Sequence, residues 1–269
     1  MLRADLHLHT TASDGQLRPA ELVQLARKHH FNTIAITDHD TTDGLPEAQQ
    51  TAAGSPIIVP GIELSAEEND VDVHMLGYYV QPEDSDFQKT LVGFRDDRLS
   101  RGEGMVEKLA ALGKPIRWER VLELANGGSV GRPHVARAMV EAGYVDSVNA
   151  AFDHYLYHGG PAYVSRKRMS PEEAVALIHS AGGVAVMAHP GLVADYLGIL
   201  ERLAAAGLDG VEFIHPRNPA TVRENIRAVA LKHHLIMTGG SDFHRPGDPI
   251  GAYTAPPDAL LALRERRKV

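Results

Sequence analysis

The sequence predicts an α/β fold in which strands and helices alternate along the chain, with a helical segment inserted near its middle. Seven short runs are rich in apolar and β-branched residues, and most are continuously apolar, as strands buried on both faces tend to be. Between several of these runs lie segments with apolar residues at helical spacing. This alternation favours parallel βα units over a sandwich.

The predicted elements follow from these patterns in chain order. The predicted strands are Leu2–Leu6, Thr33–Thr37, Ile57–Leu64, Val71–Val80, Val184–Ala188, Gly210–Ile214 and Leu235–Thr238. The predicted helices between them are Pro19–Lys28, Pro171–Ala181 and Ala220–Lys232. The first of these helices has a proline near its start, where proline favours the first turn.

The stretch between the fourth and fifth strands departs from the alternation. Its helical patterns are Glu103–Leu112, Trp118–Ala125, Pro133–Ala142 and Val145–Tyr157, with glycines 127, 128 and 143 as turns or helix ends. We therefore expect a helical insertion at residues 99–163 that forms a substrate-binding cap. The barrel would then consist of a first part at 1–98 and a second part at 164–269. The alternative is that these are ordinary barrel helices.

Composition excludes several functional classes. The chain has 269 residues and no cysteine, so disulfides, thiolate metal sites and a cysteine nucleophile are excluded. Its formal net charge of -8 argues against a long nucleic-acid track, although Arg166-Lys167-Arg168 is a candidate for a local basic pocket. The sequence contains no apolar run long enough to span a membrane, and its N-terminus does not resemble a signal peptide. We therefore expect a cytoplasmic protein.

Histidines and carboxylates recur where the predicted strands end. The chain has 15 histidines, and neutral imidazole is the commonest metal ligand near neutral pH. In a parallel barrel the carboxyl ends of all strands meet on one face, so residues dispersed in sequence are expected to meet in space. The set is Asp5, His7, His9, Asp38, His39, Glu63, His74, His189, Asp242 and His244.

A single histidine is usually a surface residue or a core residue with a hydrogen-bond partner. His29, His30, His233 and His234 fit that description, because they lie near the ends of predicted helices. The recurrence at strand ends does not fit it, since burying so many polar groups without a metal would require a partner for each of them. We interpret the set as a metal centre.

The ordered motifs resemble those of the PHP (polymerase and histidinol phosphatase) family. The resemblance covers the chain outside the insertion and implies a distorted seven-stranded (β/α)7 barrel. It is carried by His7-x-His9, Asp14, Thr37-Asp38-His39, Glu63, His74, His189 and Asp242-x-His244.

The resemblance also implies two or three divalent ions, and nitrogen and oxygen ligands suit Mn, Zn or Fe. The implied ligands are His7, His9, Glu63 and Asp242 for a first ion, Glu63 with His74 and His189 for a second, and Asp14, His39 and His244 for a third. In many family members a histidine stands at the position of Asp14.

Such a centre suits phosphoester hydrolysis, because two ions can share a hydroxide that attacks phosphorus and can neutralise charge on the phosphate oxygens. The candidate catalytic residues are His7, His9, Glu63, Asp242 and His215. His215 follows the sixth predicted strand and is a candidate for substrate contact or for proton donation to the leaving group. No GxSxG motif or Walker-type glycine loop supports a serine hydrolase or an NTPase.

The segment Gly131-Arg132-Pro133-His134 resembles stand-alone members that act on nucleoside 3′,5′-bisphosphates and on the 5′ ends of short oligonucleotides. We expect Arg132, at the start of a helix, to bind a second phosphate, with Arg166, Lys167 and His134 as further substrate contacts. The alternative is that these are solvated charges and a helix-end polar residue.

The predicted function is hydrolysis of the 3′-phosphate of such bisphosphates, together with trimming of short 5′-phosphorylated oligonucleotides. Four alternatives remain open. The first is a phosphatase for another small metabolite such as histidinol phosphate, and the second is a proofreading-type exonuclease. The third is a metal-binding module without turnover. The fourth is a C–N hydrolase, which the basic candidates for phosphate binding in the insertion disfavour. The sequence does not predict the oligomeric state.

Overall fold

The computed structural model describes residues 3–69, 71–165 and 169–267. The strands are β1 (Ala4–Asp5), β2 (Thr33–Ile36), β3 (Ile57–Glu68), β4 (Val71–Tyr78), β5 (Val184–Met187), β6 (Gly210–Ile214) and β7 (Ile236–Gly239). The helices are α1 (Pro19–Lys28), α2 (Leu45–Ala52), α3 (Ser85–Ala111), α4 (Trp118–Ala125), α5 (Arg132–Glu141), α6 (Val148–Ala151), α7 (Pro171–Ser180), α8 (Tyr196–Ala205), α9 (Ala220–His233) and α10 (Ala259–Arg266). A π-helical turn, Phe152–Leu156, continues α6, and a 3₁₀ turn covers Pro190–Leu192.

The seven strands form one sheet in which they lie in sequence order. The two ends of this sheet approach each other, because the Leu6 N–H donates to the Gly239 carbonyl at 3.2 Å. Leu8 and Phe243 form a parallel bridge just beyond. The sheet is therefore a nearly closed barrel, and the predicted seven-stranded α/β barrel with helical insertion is confirmed.

β4 runs opposite to its neighbours, so the expectation of parallel units throughout is wrong at this strand. It pairs antiparallel with β3 on one side and with β5 on the other. The reason is local: only residues 69 and 70 separate β3 from β4, whereas a parallel pair needs a crossover of a dozen or more residues. The reversal brings the start of β4 to the edge where the other strands end, and His74 lies there opposite Ser65.

Helices cover the outside of the barrel with apolar faces. α7, α8 and α9 bury Ile178, Leu200 and Ile226 in one cluster with the outer sides of β3 to β6. α1 and α2 form a second cluster with β2, and they bury Leu22 and Leu45 there. Full burial of such a side chain stabilises the fold by about 1.5–3 kcal/mol. Three helices that belong to the barrel, α2, α8 and α10, were not predicted from the sequence.

The helices between β4 and β5 form a core of their own. We call α4, α5, α6 and the π-helical turn the cap (residues 118–156). Val121, Met139 and Leu156 of the cap pack with Met105 and Leu109, which lie at the end of α3. The predicted boundary between residues 98 and 99 falls inside α3, and the division into domains stays a prediction.

α3 joins the cap core to the barrel core. Its first half buries Phe87 and Leu91 against the barrel. Near its middle, the Arg98 guanidinium donates to Asp40 Oδ2 at 2.7 Å and to Ser65 Oγ at 2.8 Å. Among the described residues, no helix is both long enough and apolar enough to cross a membrane.

Candidate metal centre

The nine predicted ligands lie close together at the carboxyl-end edge of the barrel, and we call them the ligand cluster. They are His7, His9, Asp14, His39, Glu63, His74, His189, Asp242 and His244. In the segment after β1, leucines 6 and 8 are fully buried and alternate with His7 and His9. The Nε2 atoms of His7 and His9 lie 3.3 and 3.1 Å from Glu63 Oε2, and 3.4 and 3.3 Å from Asp242 Oδ1.

Glu63, near the middle of β3, contacts histidines through both of its oxygens. Its Oε1 lies 2.9 Å from His74 Nδ1 and 2.9 Å from His189 Nε2. Its Oε2 lies 3.1 Å from His39 Nδ1 and also faces His9. One carboxylate thus touches two groups of nitrogen atoms, as a residue that bridges two ions would.

Asp14 collects a third group of nitrogen atoms. Its Oδ1 lies 3.3 Å from His244 Nε2 and 3.8 Å from His9 Nδ1, and its Oδ2 lies 3.9 Å from His39 Nε2.

The loop that carries Asp14 is held by Asp38. The Asp38 carboxylate accepts hydrogen bonds from the Thr10 N–H, the Thr10 hydroxyl and the Ser13 hydroxyl, each at 2.7 Å.

The unpaired atoms of the ligand cluster fit divalent cations. Within the described residues, several of its nitrogen and oxygen atoms are buried with no hydrogen-bond partner. They are His7 Nε2, His9 Nδ1 and Nε2, His39 Nδ1, Glu63 Oε2 and His189 Nδ1. Each such atom costs about 1–3 kcal/mol when nothing satisfies it. Cations would satisfy this concentration of lone pairs, and the donor set suits divalent metals.

Among the described residues, potential ligand atoms form four sets, in each of which they lie within 4.8 Å of one another. One set is His7, Glu212 and His215, and the other three consist of predicted ligands alone. These three sets are His7, His9, Glu63 and Asp242; His9, Asp14, His39 and His244; and His39, Glu63 and His74. The assignment of each ligand to one ion stays a prediction.

The carboxylates of the cluster are ionised at neutral pH. Burial pushes the pKa of Glu63 upward, but the charges of His39 and His7 outweigh it and hold the pKa well below its usual range. Burial also opposes ionisation of Asp242, and His7 and His244 again hold the pKa well below its usual range. Both side chains are therefore available as anionic ligands.

Glu212 is a buried carboxylate that the sequence analysis missed. It lies on β6, and its Oε1 is 3.0 Å from His7 Nδ1 while its Oε2 accepts the His189 N–H at 2.8 Å. A signal was present in the sequence, because Glu212 is the one charged residue in the apolar run Gly210–Ile214.

His215 follows β6 and is buried beside Asp242. Its Nδ1 accepts the Arg217 N–H at 3.0 Å, so a neutral ring carries its proton on Nε2. That Nε2 atom lies 3.4 Å from Asp242 Oδ2.

A cavity of about 470 Å³ opens onto the cluster. Asp14, His215, Asp242 and His244 line it on the barrel side. Its size is within the usual range for small-molecule sites, about 300–1,000 Å³.

The cap side of the cavity carries a different arginine from the one predicted. Arg132 is not among the lining residues; its guanidinium donates to Asp72 at 2.6 Å and lies over the Phe152 ring. Arg137, which follows Pro133 on the same face of α5, lines the cavity instead. One of its terminal nitrogens, Nη2, is buried with no hydrogen-bond partner among the described residues.

The other predicted substrate contacts are His134, Arg166 and Lys167. His134 is buried, its Nδ1 accepts the Gly131 N–H at 2.9 Å, and it does not line the cavity. Burial lowers the pKa of His134 to about 4 although Asp14 opposes the shift, so the ring is neutral at neutral pH. Arg166 and Lys167 lie outside the described residues.

Known proteins match both the sequence and the fold. The family model for the PHP domain matches residues 5–104. The 5′-3′ exoribonuclease Rnm of Salmonella typhimurium is 36% identical over 249 residues, which are 90% of this chain and 85% of that protein. The 3′,5′-nucleoside bisphosphate phosphatase of Chromobacterium violaceum is 35% identical over 255 residues, 92% of this chain and 89% of that protein.

A solved structure agrees with these matches. It is from Bifidobacterium adolescentis, and its description names a metal-dependent phosphoesterase. It superposes with a TM-score of 0.89 at 35% identity and covers 97% of this chain and 94% of that one. The matches confirm the resemblance drawn from the motifs: the chain belongs to the PHP family and is a metal-dependent hydrolase of phosphoric esters.

Proposed function

We propose that the protein removes the 3′-phosphate from nucleoside 3′,5′-bisphosphates and trims short 5′-phosphorylated oligonucleotides. One observation carries the proposal. The cavity of about 470 Å³ joins the ligand cluster to the side chain of Arg137, which enters from the cap. A substrate with two phosphates would place one at the cluster and the other at this guanidinium.

The nine residues of the ligand cluster would hold two or three divalent ions. When bound, such ions activate water and neutralise the charge that develops on phosphoryl oxygens.

Arg137 is suited to the second phosphate by geometry and by charge. Because its buried Nη2 has no hydrogen-bond partner among the described residues, its donor capacity is available to a ligand. A guanidinium can bind a phosphate through two charge-assisted hydrogen bonds. Binding at this distance from the reacting phosphate would hold the substrate in place over the cluster.

His215 would act from the barrel side of the same cavity. With its proton on Nε2, the ring can donate a hydrogen bond to a phosphoryl oxygen or to the leaving oxygen. Arg217 and Arg245 also line the cavity, but both are exposed, and they would chiefly attract an anionic substrate.

The names of the two relatives support this substrate class. One is called a 3′,5′-nucleoside bisphosphate phosphatase and the other a 5′-3′ exoribonuclease. Both names describe enzymes that act on phosphoric esters of nucleotides.

The test compares turnover of adenosine 3′,5′-bisphosphate with that of 3′-AMP, using purified protein with Mn²⁺. We expect kcat/KM to be at least about tenfold higher for the bisphosphate, since a charge-assisted hydrogen bond contributes about 1.5–3 kcal/mol. Arg137→Ala should lower kcat/KM for the bisphosphate about 10- to 100-fold and leave 3′-AMP nearly unchanged. Equal turnover of both substrates by the wild type would contradict the proposal.

Two further variants make this test specific. Arg120→Ala is the matched control, because Arg120 lies on the cap surface, where it pairs with Glu123 and Glu141. It should leave both substrates unaffected. Arg132→Ala decides between the two arginines: a selective loss with the bisphosphate there, and none in Arg137→Ala, would return the role to Arg132.

The oligonucleotide activity needs its own assay. A 5′-phosphorylated pentaribonucleotide should be shortened from its 5′ end, and mononucleotide release followed by chromatography would show it. Histidinol phosphate tests the alternative substrate: turnover faster than that of the bisphosphate would favour the metabolite phosphatase.

A further inference from the structure

We infer that Glu212 is a positioning residue that orients ligands of two different ion positions at once. The inference rests on the proposed ligand assignment and not on the proposed substrate. Glu212 lies on β6 with no exposed surface, and it contacts two members of the ligand cluster, His7 and His189.

The first contact fixes the ring of His7. Glu212 Oε1 lies 3.0 Å from His7 Nδ1, so a neutral His7 keeps its proton on Nδ1. The lone pair is then on Nε2, the atom that faces Glu63 and Asp242. This is the form in which His7 can bind a cation.

The second contact fixes the backbone of His189. Glu212 Oε2 accepts the His189 N–H at 2.8 Å. His189 has a φ of 25°, in the region that side-chain-bearing residues rarely adopt. A strained backbone persists only where its surroundings hold it, and the buried carboxylate is one such restraint.

A backbone contact strengthens the same connection. Asn218 donates its side-chain amide to the Glu212 carbonyl at 2.8 Å and accepts the Gly191 N–H at 2.9 Å. β6 and the loop that carries His189 are therefore joined both through the Glu212 side chain and through its main chain.

The two contacts predict different results for two substitutions. Glu212→Ala removes both acceptors and should weaken the positions of His7 and His189 together. Glu212→Gln keeps the shape but replaces one acceptor oxygen with an amide donor. The His189 backbone can only donate, so the remaining oxygen should stay with it and the amide should face His7. His7 would then take its proton on Nε2, where it cannot bind a metal.

The matched control is Asp209→Asn. Asp209 is a buried carboxylate directly before β6 that accepts the Ala185 N–H at 2.9 Å and lies 2.7 Å from His179 Nε2. It touches none of the predicted ligands. The control therefore makes the same change from carboxylate to amide, on nearly the same part of the chain, without reaching the cluster.

The experiment measures stepwise Co²⁺ and Mn²⁺ affinity against a competing chelator, with ions per chain counted by elemental analysis. Wild type and Asp209→Asn should show the same steps. Glu212→Gln should weaken one step about 10- to 100-fold, and Glu212→Ala should weaken two. Thermal unfolding of the chelator-treated proteins separates this effect from a general loss of stability, and Glu212→Gln carries the test if the alanine variant does not fold.

The outcomes separate this inference from the proposed centre. If the wild type binds ions and both Glu212 variants bind them with unchanged affinity at every step, the role of Glu212 is overturned and the proposed centre stays in place. Failure of the wild type to bind any divalent ion at neutral pH would overturn the proposed centre as well.

Discussion

Glu63 holds the two sides of the ligand cluster together at the scale of single residues. Its two oxygens face different histidines, with His74 and His189 on one and His9 and His39 on the other. Removing this carboxylate would therefore disturb more than one ion position, whereas removing a peripheral histidine would disturb one.

Glu63→Ala should abolish phosphoesterase activity and lower the metal content by at least one ion per chain. The reason is the loss of a carboxylate that touches both groups of nitrogen atoms described above. Elemental analysis and turnover after controlled return of Mn²⁺ are the measurements. His233→Ala is the control, because His233 lies on α9 beside Glu201 and away from the cluster; a comparable loss there would mean that the assignment is wrong.

Asp5 gives a prediction about pH. Burial raises the pKa of Asp5 from 3.8 to about 7, although hydrogen bonds from Ser241 and His7 oppose the shift. The folded protein then keeps a proton that the unfolded chain has already lost, so stability falls as the pH rises from about 4 to about 7.

Asp5→Asn should remove this dependence. With chelator present, the free energy of unfolding of the wild type should fall more than that of Asp5→Asn as the pH rises from about 5.5 to 7. Relative to the wild type, the variant should therefore gain about 2 kcal/mol of stability over this range. Denaturant unfolding at a series of pH values measures it. A difference that stays constant across this range would show that Asp5 has no raised pKa.

The contact between the cap and the loop that carries Asp14 matters at the scale of elements. Gly128 precedes α5, and a Cβ added there would lie 2.3 Å from the Thr11 carbonyl oxygen. The next residue, Ser129, donates its N–H to the Ala12 carbonyl at 2.8 Å. Backbone thus packs directly on backbone, two residues from Asp14.

Gly128→Ala should separate these two loops. We expect a loss of about 1–3 kcal/mol in stability, as for overpacking elsewhere, and weaker metal binding at the position of Asp14. Thermal unfolding and metal titration measure the two effects. Gly93→Ala is the matched control: no neighbouring atom lies within 4 Å of the added Cβ, and the change inside α3 should stabilise the protein by up to about 1 kcal/mol.

Local sequence signals predicted some elements well and others poorly. α1 and α4 have the predicted bounds, because both carry a clear apolar period. α2 (LPEAQQTA) carries only one large apolar residue, Leu45, and α8 contains Gly198, so neither gave a strong pattern. The reversal of β4 was predictable in principle, because even the predicted connection from β3, residues 65–70, is too short for the crossover that a parallel pair needs.

The site shows the same division. The clustering of histidines and carboxylates could be predicted, because the carboxyl ends of the strands of a barrel meet on one face. His74 was placed among them although its strand is reversed, since the start of a reversed strand meets the same edge. Arg137 was missed and Arg132 was named instead, because which arginine of α5 faces the cavity depends on how that helix is rotated against the barrel. Glu212 was missed because its partners come from two other strands.

At the scale of the whole molecule, the ligand cluster connects stability to metal. The cluster gathers segments from the first strand to the residues after the last, so bound ions would join distant parts of the chain. A ligand that binds only the folded state stabilises it by about 2.7 kcal/mol at a free concentration of 100 times its Kd.

Chelation should therefore lower the melting temperature, and returned Mn²⁺ should restore it in a concentration-dependent way. Differential scanning calorimetry with and without chelator measures the shift. The Glu63→Ala variant is the control, since its melting temperature should respond much less to added metal. An equal response in both proteins would place the stabilising ion outside the cluster.

α3 is one uninterrupted helix of 27 residues, about 40 Å long, and each of its halves is embedded in a different core. A swing of the cap together with the second half of α3 would have to bend this helix or melt a turn of it. The entrance to the cavity is therefore expected to keep a nearly constant width during turnover. The protein would then select substrates by their size, because they must fit through a rigid opening. The length of oligonucleotide that it can shorten would be limited by the bulk of the remaining nucleotide chain and not by the rate at which a lid opens.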